Sequence, residues 1–199
     1  MTQSEPAISP RFLGVLRGTS LEDCFAFWHQ RRQANDVPRK AAIDPVDMPR
    51  YILPNLFIYQ QMADGRFRCR LAGTEICRVF RHNPTGLYLD DLIVPSAVSS
   101  RQRLFSRVLE QRMPVVYGGR LVHSEQSWVR FRRLLLPVSS TGERADHVFG
   151  MVVFSDFERI SGIGGPPTDG LPDLEAWATA AELDMAGHKL HTQVTALRA

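Results

Sequence analysis

Residues 67–86, FRCRLAGTEICRVFRHNPTG, change from a strand pattern to a helix pattern within one short stretch. Because side chains alternate along a strand, the first part presents one apolar face and one face of guanidinium groups. The apolar side chains are Phe67, Cys69 and Leu71, and the charged ones are Arg68 and Arg70. A short helix directly after such a strand predicts that the apolar face lines an interior covered by helices.

Three residues around this strand carry the turns. Gly73 is expected to allow a backbone conformation closed to other residues, so that the chain bends from strand to helix. Thr74 is expected to cap the helix over residues 75–81. Gly86 follows Pro84-Thr85 at a turn position that favours positive φ.

The remaining pattern predicts an α+β fold. A leading helix with Trp28 on its buried face comes first, and a connector with several prolines follows it. Five strands are predicted at residues 56–60, 66–73, 115–123, 128–138 and 147–156, with short helices between the second and the third and a longer helix reaching about residue 112. Short turns between neighbouring strands imply a five-stranded antiparallel sheet with the short helices on one face.

Four motifs in this order resemble the PAS domain family, and in particular a bacterial subfamily of stand-alone, single-domain PAS proteins. They are Trp28 in the leading helix, PRKAAIDP at residues 38–45, RLAGT at 70–74 and Thr-Gly at 85–86. The resemblance covers residues 20–157 and departs from the family at HNPTG, where an acidic residue and a leucine usually precede Thr-Gly. The chain then divides into a flexible N-terminus (1–18), an N-terminal helix with its connector (19–50), a PAS-like core (51–158) and a Gly/Pro linker with a weakly ordered C-terminal segment (159–199).

In a PAS fold, the space between the sheet and the short helices holds the ligand. Strand alternation and helix periodicity predict the inward-facing side chains, although the pattern leaves the inner side of strand 128–138 open. The predicted ligand-binding residues are Phe57, Tyr59, Phe67, Cys69, Leu71, Cys77, Phe80, Phe105, Leu109, Phe131, Phe149 and Met151. Whether this space is filled by side chains or holds a small apolar ligand stays open at this level.

No cofactor can be assigned. EICRVF around Cys77 lacks most of the cysteine motif of flavin-binding light sensors, and residues 97–112 lack the histidine of haem-binding members. Catalytic motifs such as GxSxG, HExxH and GxxxxGK[ST] are absent as well, and no metal site is predicted. The sequence therefore predicts a protein that is not an enzyme.

Arginine-rich strands form the second candidate surface. Residues 11–154 hold 21 Lys or Arg against 13 Asp or Glu, whereas residues 155–186 hold one against seven. The predicted partner-binding residues are Trp28, Arg68, Arg70, Arg120, Arg130 and Arg132. They suit an acidic protein, the chain's own acidic segment, or a homodimer through the N-terminal helix or the sheet face. Nucleic acid is disfavoured because no helix-turn-helix, zinc-finger or RNP pattern accompanies the arginines.

Residues 174–185 are predicted to form a helix that docks on the domain, docks on a second subunit, or stays mobile. No run of apolar residues is long enough for a membrane span, and no signal-peptide pattern opens the chain, so the cytoplasm is expected. The leading hypothesis is a PAS-type sensory or regulatory module for a small apolar ligand or a partner protein. The alternative is a ligand-free dimeric scaffold.

Overall fold

The computed structural model describes residues 12–32, 37–124, 127–159, 174–179 and 182–183. Its helices are α1 (Phe12–Leu16), α2 (Ser20–Gln30), α3 (Thr74–Phe80) and α4 (Pro95–Gln111), with 3₁₀ helices at Lys40–Ala42, Pro45–Asp47, Arg50–Asn55 and Leu89–Asp91. Its strands are β1 (Leu56–Gln61), β2 (Phe67–Ala72), β3 (Val115–Ser124), β4 (Ser127–Ser139), β5 (Ala145–Arg159) and β6 (Leu174–Trp177).

All six strands form one antiparallel sheet in the order β2-β1-β5-β4-β3-β6. The predicted α+β class and the antiparallel sheet are confirmed. The sixth strand was not predicted: residues 174–177 pair with Val115–Gly118 at the edge of β3, where the sequence pattern favoured a helix. A strand is favoured there because the edge of β3 offers unpaired backbone groups that β6 satisfies.

The sheet is buried on both faces. Helices α3 and α4 cover one face, which we call the inner face, and helices α1 and α2 cover the other, the outer face. Neighbouring residues on β4 show the alternation: Leu134 belongs to the outer cluster, Leu135 belongs to the inner cluster, and both are 0% exposed. The fold therefore has two hydrophobic layers that share the same strands.

Two inward-facing predictions on β5 are wrong. Phe149 and Met151 lie in the outer cluster, whereas Val148 and Val152 lie in the inner one. The alternation of β5 was read in the wrong phase because both sets of side chains are apolar. A strand that is buried on both faces carries no polar residues to mark its solvent side.

Leu71 also faces outward, for a different reason. Ile58 pairs with Leu71, but the next residue, Tyr59, pairs with Cys69, so Arg70 has no partner on β1. This β-bulge inserts one residue and reverses the alternation after it. Phe67 and Cys69 lie in the inner cluster as predicted, and Leu71 packs against the outer one.

The N-terminal helices are an integral part of the outer layer. Phe12 and Leu16 are completely buried, so residues 12–18 are not the flexible segment that was predicted. Trp28 is 0% exposed, and its indole N–H donates to the carbonyl of Pro137 at 2.8 Å. Its prediction as a partner-binding residue is wrong, because the side chain that anchors α2 to the sheet is not accessible.

The described C-terminal residues dock on the same chain. Ala178 donates its backbone N–H to Pro114 after β6 ends. Glu182 accepts from the backbone N–H of Leu13 at 3.2 Å, and the His29 ring contacts the carbonyl of Leu183 at 2.7 Å. The predicted linker at 161–172 lies outside the described residues.

Gly73 is required for a reason other than the predicted one. Its φ of −67° is open to any residue, but an added Cβ would lie 2.2 Å from the carbonyl oxygen of Pro54. Gly73, and not Thr74, is the N-cap of α3, and no side chain caps this helix. Gly86 has φ +94°, which confirms the predicted turn.

Gly73→Ala is expected to lower the free energy of unfolding by about 3 kcal/mol, because backbone must move to admit the methyl group. Urea denaturation followed by circular dichroism measures this change. Gly14→Ala in α1 is the matched control, since nothing lies within 4 Å of its added Cβ. That variant should keep or gain stability, by up to about 1 kcal/mol. Equal effects at both positions would contradict the close contact at Gly73.

Candidate ligand site on the inner face

A chain of aromatic rings crosses the inner layer. Tyr59 on β1 lies 5.8 Å from Phe57 and 5.5 Å from Phe105 of α4, and Phe67 on β2 lies 5.2 Å from Phe105. These are edge-to-face contacts, which stabilise aromatic pairs beyond the burial of their area. Helix α4 is thereby held on the sheet by rings from two strands.

Most of the predicted ligand-binding residues lie in this layer. They are Phe57, Tyr59, Phe67, Cys69, Phe105, Leu109 and Phe131, with Phe80 partly buried against them. Cys77 is only half-buried, and its thiol lies near the carbonyl of Ala72 and the side chain of Asn83. The structure brings these residues together, and their binding of a ligand stays a prediction.

Arg133, which the sequence pattern did not single out, is the most unusual residue of the inner layer. It lies directly opposite Tyr117 in the β3–β4 pairing and is 8% exposed. Its terminal N–H donates to the Tyr117 hydroxyl at 3.0 Å, while its Nε is buried without a hydrogen-bond partner. Arg133 has the same parity as Phe131, which was predicted to bind the ligand, and this parity is the sequence signal that could have identified it.

Aromatic rings surround this guanidinium. Its central carbon lies 5.4 Å from the ring of Phe57, 5.3 Å from that of Phe131 and 5.9 Å from that of Tyr117. Gly150 makes the approach of Phe57 possible, because a Cβ at that position would lie 2.6 Å from the Phe57 ring. The glycine on β5 therefore leaves room for a ring that extends from β1 towards β4.

A second arginine reaches the same region from α4. Arg101 is 7% exposed, and its guanidinium carbon lies 4.4 Å from the centre of the Tyr117 ring. Tyr117 thus has a buried arginine on β4 and another on α4 beside its ring. Two guanidinium groups therefore lie beside the ring of Tyr117.

Cys69 and Tyr59, two titratable side chains of this layer, are neutral near pH 7. Burial raises the pKa of Cys69 to about 11, against a smaller lowering by a hydrogen bond to the Leu71 backbone. Burial also raises the pKa of Tyr59 well above its usual range, although the nearby Arg133 opposes the shift. Neither side chain supplies a negative charge to the inner layer.

The arginines predicted as a partner surface have separate environments. Arg68 donates through Nε to the carbonyl of Gly86 at 2.9 Å, and Arg70 donates to the side chain of Gln60 at 2.8 Å. Arg120 on β3 lies opposite Arg130 on β4 in the strand register, and Arg130 and Arg132 are exposed. The outer face is therefore not one guanidinium surface, because α1 and α2 cover its apolar part.

The described part of the chain contains neither a candidate metal site nor a candidate membrane-spanning helix. Within it, no group of three His, Cys, Asp or Glu side chains could hold a metal ion. None of its helices is both long and apolar enough to cross a membrane.

The reactivity of the three cysteine thiols tests whether Cys69 is buried in the inner layer. With Ellman's reagent at pH 8, Cys77 is expected to react first, because Cys24 and Cys69 are buried and burial raises the pKa of each thiol. Absorbance should report one fast thiol in the native chain, and Cys77→Ser should abolish the fast phase. Two or more fast thiols in the native chain would contradict the burial of Cys24 or of Cys69.

The family comparison agrees with the fold. The sequence model of the PAS domain family matches residues 16–153, from the end of α1 into β5 and over more than half of the chain. Comparisons with curated proteins and with solved structures gave no match. The matched range contains β1 to β4, the first part of β5 and both helices that cover the inner face. The chain belongs to the PAS domain family.

Proposed function

We propose that this PAS domain is a sensory or regulatory module that binds a small, largely apolar ligand between the inner face and helix α4. The observation that carries the proposal is the pair of hydrophobic layers on one sheet. PAS domains are generally sensory modules. The aromatic inner layer offers the apolar surroundings that small-molecule sites use, with few polar groups to orient a ligand.

The shared strands supply a route for the signal. Val152 and Val153 are adjacent on β5 and belong to opposite layers, as Leu134 and Leu135 do on β4. A ligand that displaces the inner side of a strand must also move the residues that contact α2. Such a change transmits a signal only if the ligand binds two conformations with different affinity.

The outer layer is the proposed output. The contacts of Glu182 with Leu13 and of Leu183 with His29 join the N-terminal helices to the C-terminal segment. A shift of α2 would therefore also move α1 and the described C-terminal residues 182–183. An acidic partner protein would reach the exposed Arg130 and Arg132 at the end of the β3–β4 hairpin.

A ligand-free dimeric scaffold is the alternative function. The close aromatic contacts in the inner layer favour it, since a filled core needs no ligand. Burial of Trp28 and cover of the outer face count against dimers built on those two surfaces. The absence of catalytic motifs keeps our proposal non-enzymatic, and we place the protein in the bacterial PAS subfamily that its motifs resemble and in the cytoplasm.

Native mass spectrometry of the chain purified from its own host tests the ligand. The wild-type chain should carry a stoichiometric small molecule, and Leu135→Phe on the inner face should remove it. Leu134→Phe is the matched control: it faces outward, is equally buried and should lose stability by a similar amount, about 1–3 kcal/mol, while keeping the ligand. An empty wild-type chain would favour the scaffold. Equal ligand loss in both variants would contradict an inner site.

A further inference from the structure

We infer that the ligand of the inner face is a small organic carboxylate whose anionic group pairs with the guanidinium of Arg133. The inference deepens the proposed function and rests on it. The juxtaposition that carries it is a buried guanidinium with an unpartnered Nε among three aromatic rings.

The charge of Arg133 is incompletely compensated within the described residues. A buried guanidinium loses its hydration, and proteins normally restore the lost interactions with a carboxylate and further hydrogen bonds. Arg133 has one hydrogen bond, to the Tyr117 hydroxyl, and no ion pair within 4 Å to any carboxylate that the structure describes. An incoming anion would supply the missing interaction.

The surrounding rings do not replace an anion. A ring stabilises a cation through its π face, and the effect is largest when the cation is desolvated. The three ring centres lie at 5.3 to 5.9 Å, in the outer part of the distance range for this interaction. Contacts with these rings leave the N–H at Nε without an acceptor.

Within the described part of the chain, neither Cys69 nor Tyr59 supplies an anionic acceptor to Arg133. The raised pKa values keep Cys69 and Tyr59 neutral. Glu175 on β6 lies opposite Tyr117, two strands away from Arg133, and its carboxylate accepts from the Trp177 indole at 2.6 Å. Two spacings of about 4.8 Å each separate the strand backbones that carry Glu175 and Arg133.

The surroundings define the rest of the ligand. Phe57 and Phe131 beside the guanidinium favour an apolar body attached to the anionic group. Carboxylate is a planar anion that can accept two parallel N–H bonds from a guanidinium, so it suits a side chain whose Nε lacks a partner. Arg101 of α4 brings a second guanidinium beside the Tyr117 ring.

Calorimetric titration of the full chain tests the inference with matched acids and amides. Propionate, hexanoate and phenylacetate are compared with their primary amides, and inorganic phosphate is included. At least one acid should bind, and its amide should bind at least about 30-fold more weakly, because the amide leaves the buried guanidinium without an anion.

Arg133→Gln should weaken acid binding by at least about the same 30-fold and leave amide binding unchanged. Gln is chosen because its amide can still donate to Tyr117. Arg132→Gln is the matched control, since Arg132 is the adjacent, exposed residue on the opposite face and should bind as the wild type does. If Arg133→Gln fails to fold, two measurements still test the site. One is the acid–amide comparison on the wild type. The other is Arg133→Lys, which keeps the charge and should bind the acid more weakly than the wild type does.

Three outcomes would overturn the carboxylate site. They are equal binding of an acid and its amide without dependence on Arg133, binding of phosphate but of no carboxylate, and binding of none of the acids. The first leaves the apolar ligand site of the proposed function intact. The proposed function fails if the mass spectrum of the host-purified chain is empty, or if Leu134→Phe and Leu135→Phe lose the ligand equally.

Discussion

Burial of both faces of a single sheet is the constraint on which the rest of this structure depends. Leu134 and Leu135 point in opposite directions from one strand, and neither is exposed to solvent. The chain therefore needs helices on both sides: α3 and α4 on the inner face, and α1 and α2 on the outer face. Loss of either layer would expose a continuous apolar surface to water.

The same constraint connects the proposed site with the proposed output. A ligand beside Arg133 would contact β4, which also carries Leu134 against the outer helices. The hydrogen bond from Trp28 to Pro137 joins α2 to that strand. The inner layer is thus unusual because it buries one guanidinium. The outer layer is coupled to the inner layer because both are built on the same strands.

The sequence contains enough to predict the fold and only part of the site. Strand patterns and turns such as the one at Gly86 depend on local chemistry, which a single sequence displays directly. The face on which Phe149 lies was mispredicted because a strand that is apolar on both faces has no polar side to mark solvent. The face of Leu71 was mispredicted because alternation along the sequence does not reveal the bulge at Arg70. Strand Leu174–Trp177 exists only through pairing with a distant edge. The burial of Arg133 follows from parity with its neighbours, but its charge suggested solvent.

Hydrogen exchange of the full chain tests the central claim, that the N-terminal helices are part of a sheet buried on both faces. The account predicts that backbone amides of α2 are protected to nearly the same free energy as those of β4, because both open only when the whole domain unfolds. Exchange of α2 at rates close to those of an unfolded peptide, with β4 still protected, would contradict it.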